Sequence, residues 1–512
     1  MSTPGNAQQE QPSPAASEPS LTYKSAAGRW VLVATILGSS MAAIDSTVVG
    51  IALPAIGRDF HASLASLQWV FTAYTLTLAG LLLFAGALGD RYGRKKTFVI
   101  GVIWFALASL LCGAAQNAPE LIAARALQGV GAALLTPGSL AIIEASFVKQ
   151  DRSKAIGAWS GFAGVGTAIG PFLGGWLIQA VSWRLIFAIN LPVAALVIAV
   201  SLRHLPESRD QAATGRVDFT GGVLVTLGLV GLTYGLIEGP SKGWASSLPL
   251  SALIAGVILL ASFIWWERRA QSPVLPLKLF NSAEFSSANV VTFIVYAALG
   301  GALFLLPIQL EQVSGYTALQ AGISLLPVTV IMLLLSARSG ALASRIGPRL
   351  QMTVGPVVIA IGLALLARVG AGGSYVTDVL PAVLVFGFGL AINVAPLTAT
   401  VLAAVPSEHA GAASAINNDV ARAAGLIAVA VLPAAAGLTG SSYLHAHEFS
   451  SGFHHAMLIA AGLCLLGAVL AGLTIRNPSK AAKKALGPTP PGGNVLHCAL
   501  DAPPVSAKAP SA

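Results

Sequence analysis

GALGDRYGRKK occupies residues 86–96, at the end of a long apolar run, and its last seven residues carry five charges. A second version, GALASRIGPR at 340–349, ends another apolar run about half a chain later. Gly86, Arg91 and Gly93 align with Gly340, Arg345 and Gly347, while Ser344 stands in the place of Asp90. Two short strings at equivalent places in their surroundings point to two homologous halves.

The surroundings decide the fold class. The chain has 512 residues, of which 55% are hydrophobic and only 10% charged. Soluble domains carry about 25% charged residues. A membrane-spanning helix needs about 20 apolar residues, and such runs recur from residue 30 to residue 475. The period-2 alternation of a membrane barrel is absent. An all-α polytopic membrane protein follows. Fourteen spans are expected, at 30–53, 64–88, 97–116, 120–146, 155–178, 184–203, 218–238, 246–266, 284–311, 319–342, 351–369, 377–402, 411–435 and 455–475. The repeat divides them into an N-terminal bundle of six (29–203), a linker with two extra helices (204–282) and a C-terminal bundle of six (283–476). Residues 1–28 and 477–512 are polar and rich in Pro, Ser or Ala, and read as disordered tails.

Basic residues set the expected orientation. With the N-terminus in the cytoplasm, 23 of the 29 Lys and Arg fall on that side, four outside and two within spans. That asymmetry places both termini in the cytoplasm. It also accounts for the +9 net charge through lipid headgroups, with no nucleic acid as partner. The cysteines Cys112, Cys464 and Cys498 are scattered and form no disulfide or metal pattern. HAHEFSSGFHH at 445–455 is rich in histidine but lacks compact ligand spacing. It reads as a solvated outer loop, and no metal is expected.

Within the spans the charges stand out. Asp45 is the only ionisable side chain between Arg29 and Arg58, and Arg125 lies in the fourth span. A rise of 1.5 Å per residue puts both roughly 8–12 Å from the outer end. Arginine cannot shed its proton, so Arg125 needs a counter-charge, and Asp45 is the candidate. Burial and a neighbouring guanidinium act on a carboxylate in opposite senses. A change in wetting between two conformations would therefore load or unload a proton at Asp45. Asp90 is placed to cap a helix of the other half near Gly411, and Arg94 to pair with Glu144. Together with Gly86, Arg91 and Gly93 they make a candidate cytoplasmic gate. Asp419 and Arg422 are three residues apart, so a local ion pair is the expected arrangement.

GALGDRYGRKK resembles the loop between helices two and three of the major facilitator superfamily. RALQGVGAALL (125–135) is similar to the fourth-helix motif, and GFAGVGTAIGPFLGG (161–175) to the fifth-helix motif of antiporters. IDSTVVGIALP (44–54) resembles the first-helix motif of the fourteen-helix drug:proton antiporters. WRLIFAINLP (183–192) is similar to the start of their sixth helix. The resemblance spans residues 29–476 and implies the major facilitator fold, two six-helix bundles plus two central helices. It also implies an inner-membrane, monomeric exporter driven by proton entry, which needs no cofactor beyond the proton gradient. Its partners are small molecules, protons and the lipid bilayer. The cargo would be drugs, antibiotics or other small amphipathic molecules, carried by alternating access. A proton-coupled uptake symporter and an exporter of one metabolite are the competing readings. Gly166, Gly170, Pro171, Gly174 and Gly175 are expected to pack the fifth helix closely. Phe71, Tyr74, Gln128, Tyr296, Asn393, Asp419 and Arg422 are candidates for the substrate pocket, with Phe293 and Phe304 beside them. No metalloprotease or phosphate-loop motif is present, so neither an enzyme nor an ATP-driven pump is expected.

Overall fold

A computed structural model of the chain describes residues 21–209, 217–270, 273–406, 409–440 and 442–477. Hydrocarbon offers no partner to a free backbone amide, so a spanning segment must satisfy its own hydrogen bonds as a helix. Among the described residues, fourteen helices are long and apolar enough to span a membrane. They are α1 (Ala26–Phe60), α2 (Leu64–Tyr92), α3 (Arg94–Ala114), α4 (Ala118–Ser146), α5 (Lys149–Ala180), α6 (Leu185–His204), α7 (Phe219–Lys242), α8 (Ser247–Glu267), α9 (Ala283–Val313), α10 (Ala318–Ile346), α11 (Pro348–Leu366), α12 (Tyr375–Ala403), α13 (Ala410–Ala435) and α14 (Ala446–Thr474). Each coincides with one of the expected spans.

Two stretches differ from the sequence reading. Residues 21–28, expected to belong to a disordered tail, are docked. Leu21 N–H donates to Ser146 O at 3.2 Å, Val148 N–H donates to Leu21 O at 3.0 Å, and Ser25 caps α1. Residues 1–20 and 478–512 lie outside the described residues. The histidine-rich stretch is not a loop. α14 starts at Ala446 and winds it into helix, and His454 Nδ1 lies 3.0 Å from the Ala367 carbonyl oxygen.

The two halves repeat a clasp. Between α2 and α3 the chain turns at Gly93 with φ +120°, and between α10 and α11 it turns at Gly347 with φ +91°. Both values favour glycine. In the first half Glu207, three residues past α6, accepts from the backbone N–H of Lys95 (3.1 Å) and Lys96 (3.3 Å). In the second half Asn477, three residues past α14, accepts from Arg349 N–H at 3.1 Å. Each half therefore ends by capping the first turn of its own third helix, whose free N–H groups need acceptors.

The halves meet at the end of the bundle opposite the termini. Leu64 N–H donates to Gly440 O at 3.1 Å, Gln68 Nε2 donates to Val429 O at 2.6 Å, and Tyr443 donates its hydroxyl to Ala62 O. Arg58 pairs with Glu311 at 3.5 Å. At the end that carries the termini the packing parts. A Cβ added at Gly157, Gly161 or Gly164 of α5, or at Gly411 of α13, would meet nothing within 4 Å. Among the described residues, the bonds that join the two halves lie at the far end. The inserted pair lies along the seam. α7 packs against α2 through Phe84–Phe219 and Trp69–Tyr234, and Leu229 of α7 joins Leu76 of α2 and Leu426 of α13.

The clasp yields a stability prediction. Glu207→Ala and Asn477→Ala should each cost about 1 kcal/mol, the usual value of a side-chain cap. Gly93→Ala and Gly347→Ala should cost more, about 1–3 kcal/mol, because the side chain must adopt a left-handed conformation. Thermal unfolding of the purified protein in detergent checks the order. Glycine variants as stable as wild type would refute it.

Candidate functional site

Asp45 and Arg125 meet inside the N-terminal half. Arg125 Nη1 lies 2.5 Å from Asp45 Oδ2, and the two side chains are each 1% exposed. The second carboxylate oxygen, Oδ1, accepts from Gln128 Nε2 at 2.8 Å and from Asn190 Nδ2 at 3.1 Å. Both amides also reach Ser109 Oγ, at 2.8 and 3.2 Å. Four helices, α1, α3, α4 and α6, thus supply one polar cluster. α2 adds the Val70 carbonyl, which accepts from Arg125 Nε at 3.3 Å, and the Tyr74 ring, whose centroid lies 4.5 Å from the guanidinium carbon.

The arrangement surrounds one carboxyl group with donors. Arg125, Gln128 and Asn190 all present N–H donors to Asp45. A carboxyl proton on either oxygen would face a donor, so this geometry suits the carboxylate. Charge-assisted hydrogen bonds are the strong kind. A buried ion with all its partners is tolerated, and the same ion without them is not.

Ser109 and Asn190 were not singled out in the sequence. Asn190 stands in WRLIFAINLP as a lone amide in an apolar span, which is a weak signal. Ser109 gives none. Gln128 and Tyr74, expected in the substrate pocket, belong instead to the Asp45 cluster. Gln128 is three residues from Arg125 on one helix face, and its Oε1 accepts from Arg125 Nη1 at 2.6 Å.

The expected gate partners are arranged differently. Arg94 Nε and Nη2 both lie 2.8 Å from Asp90 Oδ1, and Nη1 donates to Ala141 O at 3.3 Å. Asp90 thus pairs within its own turn rather than at Gly411, and Arg94 takes Asp90 and Ala141 rather than Glu144. The physical reason is local, since Arg94 lies four residues from Asp90 and its guanidinium takes that carboxylate with two N–H groups. Gly86 packs against Pro137, 3.7 Å from an added Cβ.

α5 is packed closely, as the glycine spacing implies. Gly166 faces Ser40, Gly170 faces Ile44 and Thr47, and Gly174 faces Val48, so α5 lies along the segment of α1 that carries Asp45. Gly175 presses on Ala318 and Leu319 of α10, and the Pro171 carbonyl presses on Gly322. One helix touches both the helix that carries Asp45 and the opposite half.

The remaining pocket candidates separate. Phe71, Tyr296 and Arg422 line a cavity of about 230 Å³ between α2, α9 and α13. Phe304 stacks edge-on with Phe71 at 5.5 Å. Asp419 lines a different cavity, also about 230 Å³, between α2, α7, α8 and α13. The expected Asp419–Arg422 pair does not form. Asp419 Oδ1 is buried with no hydrogen-bond partner. Asn393 is fully buried against Gly355 between α11 and α12, away from both cavities. Phe293 is 37% exposed on the outer surface of the bundle.

Comparison with known proteins follows the same lines. The family model described as Major Facilitator Superfamily matches residues 35–430. The tetracenomycin C resistance and export protein of Streptomyces glaucescens is 36% identical over 401 residues, covering 78% of this chain and 74% of that protein. The puromycin resistance protein pur8 of Streptomyces alboniger is 35% identical over 469 residues, covering 88% and 92%. A multidrug resistance protein of Mycobacterium tuberculosis, Stp, is 36% identical over 402 residues, covering 78% and 74%. Among solved structures, a bacterial homologue of the human lysosomal transporter Spinster, in an inward-facing and unoccupied conformation, superposes with a TM-score of 0.64 at 16% identity, covering 88% of this chain and 97% of that one. The last comparison speaks to the fold alone. The chain belongs to the major facilitator superfamily, among relatives that confer antibiotic and multidrug resistance.

Proposed function

We propose that the protein exports small amphipathic molecules, drugs and antibiotics among them, across the cytoplasmic membrane in exchange for protons. The observation that carries the reading is the sealed Asp45–Arg125 cluster in a bundle whose described inter-half bonds lie at the end away from the termini. The positive-inside asymmetry makes that end cytoplasmic. In this conformation Asp45 is held by donors alone, as a carboxylate would be. A proton that entered from outside would already have left toward the cytoplasm. Closing the termini end and opening the far end would loosen the cluster and let Asp45 take up a proton. Each charge moved inward through the membrane potential supplies about 2.3 kcal/mol per 100 mV.

α5 supplies the link between proton site and gate. Its glycines hold it to α1 beside Asp45, while Gly175 and Pro171 hold it to α10. A change at Asp45 therefore acts on the seam between the halves. Asp90 and Arg94 would exchange their mutual bond for contacts with the other half when the cytoplasmic end closes. The resistance and export roles in the relatives' names support a drug-like cargo.

Two outcomes are expected. Cells expressing wild type should show protonophore-sensitive ethidium efflux, and Asp45→Asn should abolish it at equal membrane abundance. Efflux that persists in the variant removes Asp45 as the proton carrier, and absence of efflux in wild type points to a single dedicated cargo. Second, Arg125→Met should cost about 3–5 kcal/mol by leaving a buried carboxylate uncompensated. Adding Asp45→Asn to it should restore much of the lost thermal stability in detergent. A double variant no more stable than Arg125→Met would show that the pair is not what Arg125 holds.

A further inference from the structure

Asp419 is a half-buried carboxylate on α13 that the proton cluster does not use. Its Oδ1 has no hydrogen-bond partner, and the cavity it lines is otherwise apolar. Beside α13 itself and Phe263 of α8, three elements build the walls. Leu83 belongs to α2, Val225 and Leu229 to the inserted α7, and Leu275 and Phe280 to the segment that returns from α8 to the C-terminal half. That return segment is pinned, since Leu275 N–H donates to Glu267 Oε2 at 3.0 Å. α7 is fastened to α2 as well, with Trp69 Nε1 donating to Glu238 Oε1 at 3.1 Å. Thr226 of α7 fits against Gly80 of α2. The cavity is thus a built space with a fixed wall.

A carboxylate oxygen buried against apolar walls with no hydrogen-bond partner is costly, and a cation with apolar flanks would relieve it. Arg422 on the same helix does not fill that role, because it lines the cavity on the other side of α13. We propose that the cavity between α2, α7, α8 and α13 binds the cationic head of an amphipathic substrate, with Asp419 as its counter-charge and the inserted helix pair as its wall. The proposal rests on the export reading and adds the substrate class and a role for the two extra helices. A volume of about 230 Å³ admits a head group rather than a whole drug-sized molecule. The remainder of such a substrate would extend toward the seam between the halves.

The test is equilibrium binding to the purified full-length protein in nanodiscs, using radiolabelled tetraphenylphosphonium as the lipophilic cation and chloramphenicol as a neutral probe. Asp419→Asn should weaken tetraphenylphosphonium binding by about tenfold or more, the scale for losing one partner of a buried charge pair. Asp419→Glu should retain most of the affinity. Val225→Trp, which fills the cavity from α7 and leaves the carboxylate in place, should weaken the cation to a similar degree. Chloramphenicol binding should be unchanged in all three. Unchanged cation affinity in Asp419→Asn, equal losses for both probes, or no cation binding by wild type would each overturn the proposal. Transport in proteoliposomes separates the two readings. Wild type that binds the cation but moves no substrate would remove the export reading and leave the cavity. Wild type that exports the cation as well as Asp419→Asn does would remove the cavity and leave the export reading.

Discussion

A guanidinium that cannot lose its charge sits in the middle of the N-terminal half, and the packing around it is arranged to make that tolerable. Arg125 must have an anion, and Asp45 is the one within reach. The carboxylate then needs donors for its other oxygen, which brings in Gln128 and Asn190, and these in turn share Ser109. Each added partner ties another helix to the same point. Apolar contacts between helices in a bilayer are weakly directional, because lipid tails are as apolar as the side chains. A polar cluster with five members supplies the direction that they lack. It sets the rotation of α1, α3, α4 and α6 about their own axes.

From that point the geometry propagates outward. α1 is rotated by the cluster, and α5 follows α1 because small residues bring the two backbones together. α5 also reaches α10, so the position of the opposite half depends on the same chain of contacts. The far end is closed by bonds to backbone carbonyls and one ion pair, which few residues need to break. The inserted pair covers the seam between α2 and α13, where a twelve-helix arrangement would leave those helices facing lipid.

The parts that the sequence made legible are those where one residue breaks a strong pattern. Asp45 and Arg125 are charges in apolar runs, and hydrocarbon makes such residues conspicuous. The spans were legible for the same reason, since about 20 apolar residues have few alternatives to a helix. Uncharged partners on separate helices were not legible. Ser109 and Asn190 become informative only when α3 and α6 are placed beside α4. Spacing misled at Asp419 and Arg422, where residues three apart turn to cavities on opposite sides of α13. It was under-used at Gln128, whose position one turn from Arg125 already put it on the same face. The clasp residues Glu207 and Asn477 are exposed polar groups in connecting segments, where composition carries no positional signal.

The clasps give the halves a property that the interface between them does not have. Each half joins its last connecting segment to the start of its third helix, so its chain closes on itself before the next half begins. A rigid unit of this kind can rotate against its neighbour without loosening internally, because the strain of the motion falls on the seam. The inserted helices occupy that seam without interrupting either closed unit. An ancestral six-helix piece with its own clasp would have been ready for duplication and fusion, and the connection between the copies would have been free to lengthen by two helices.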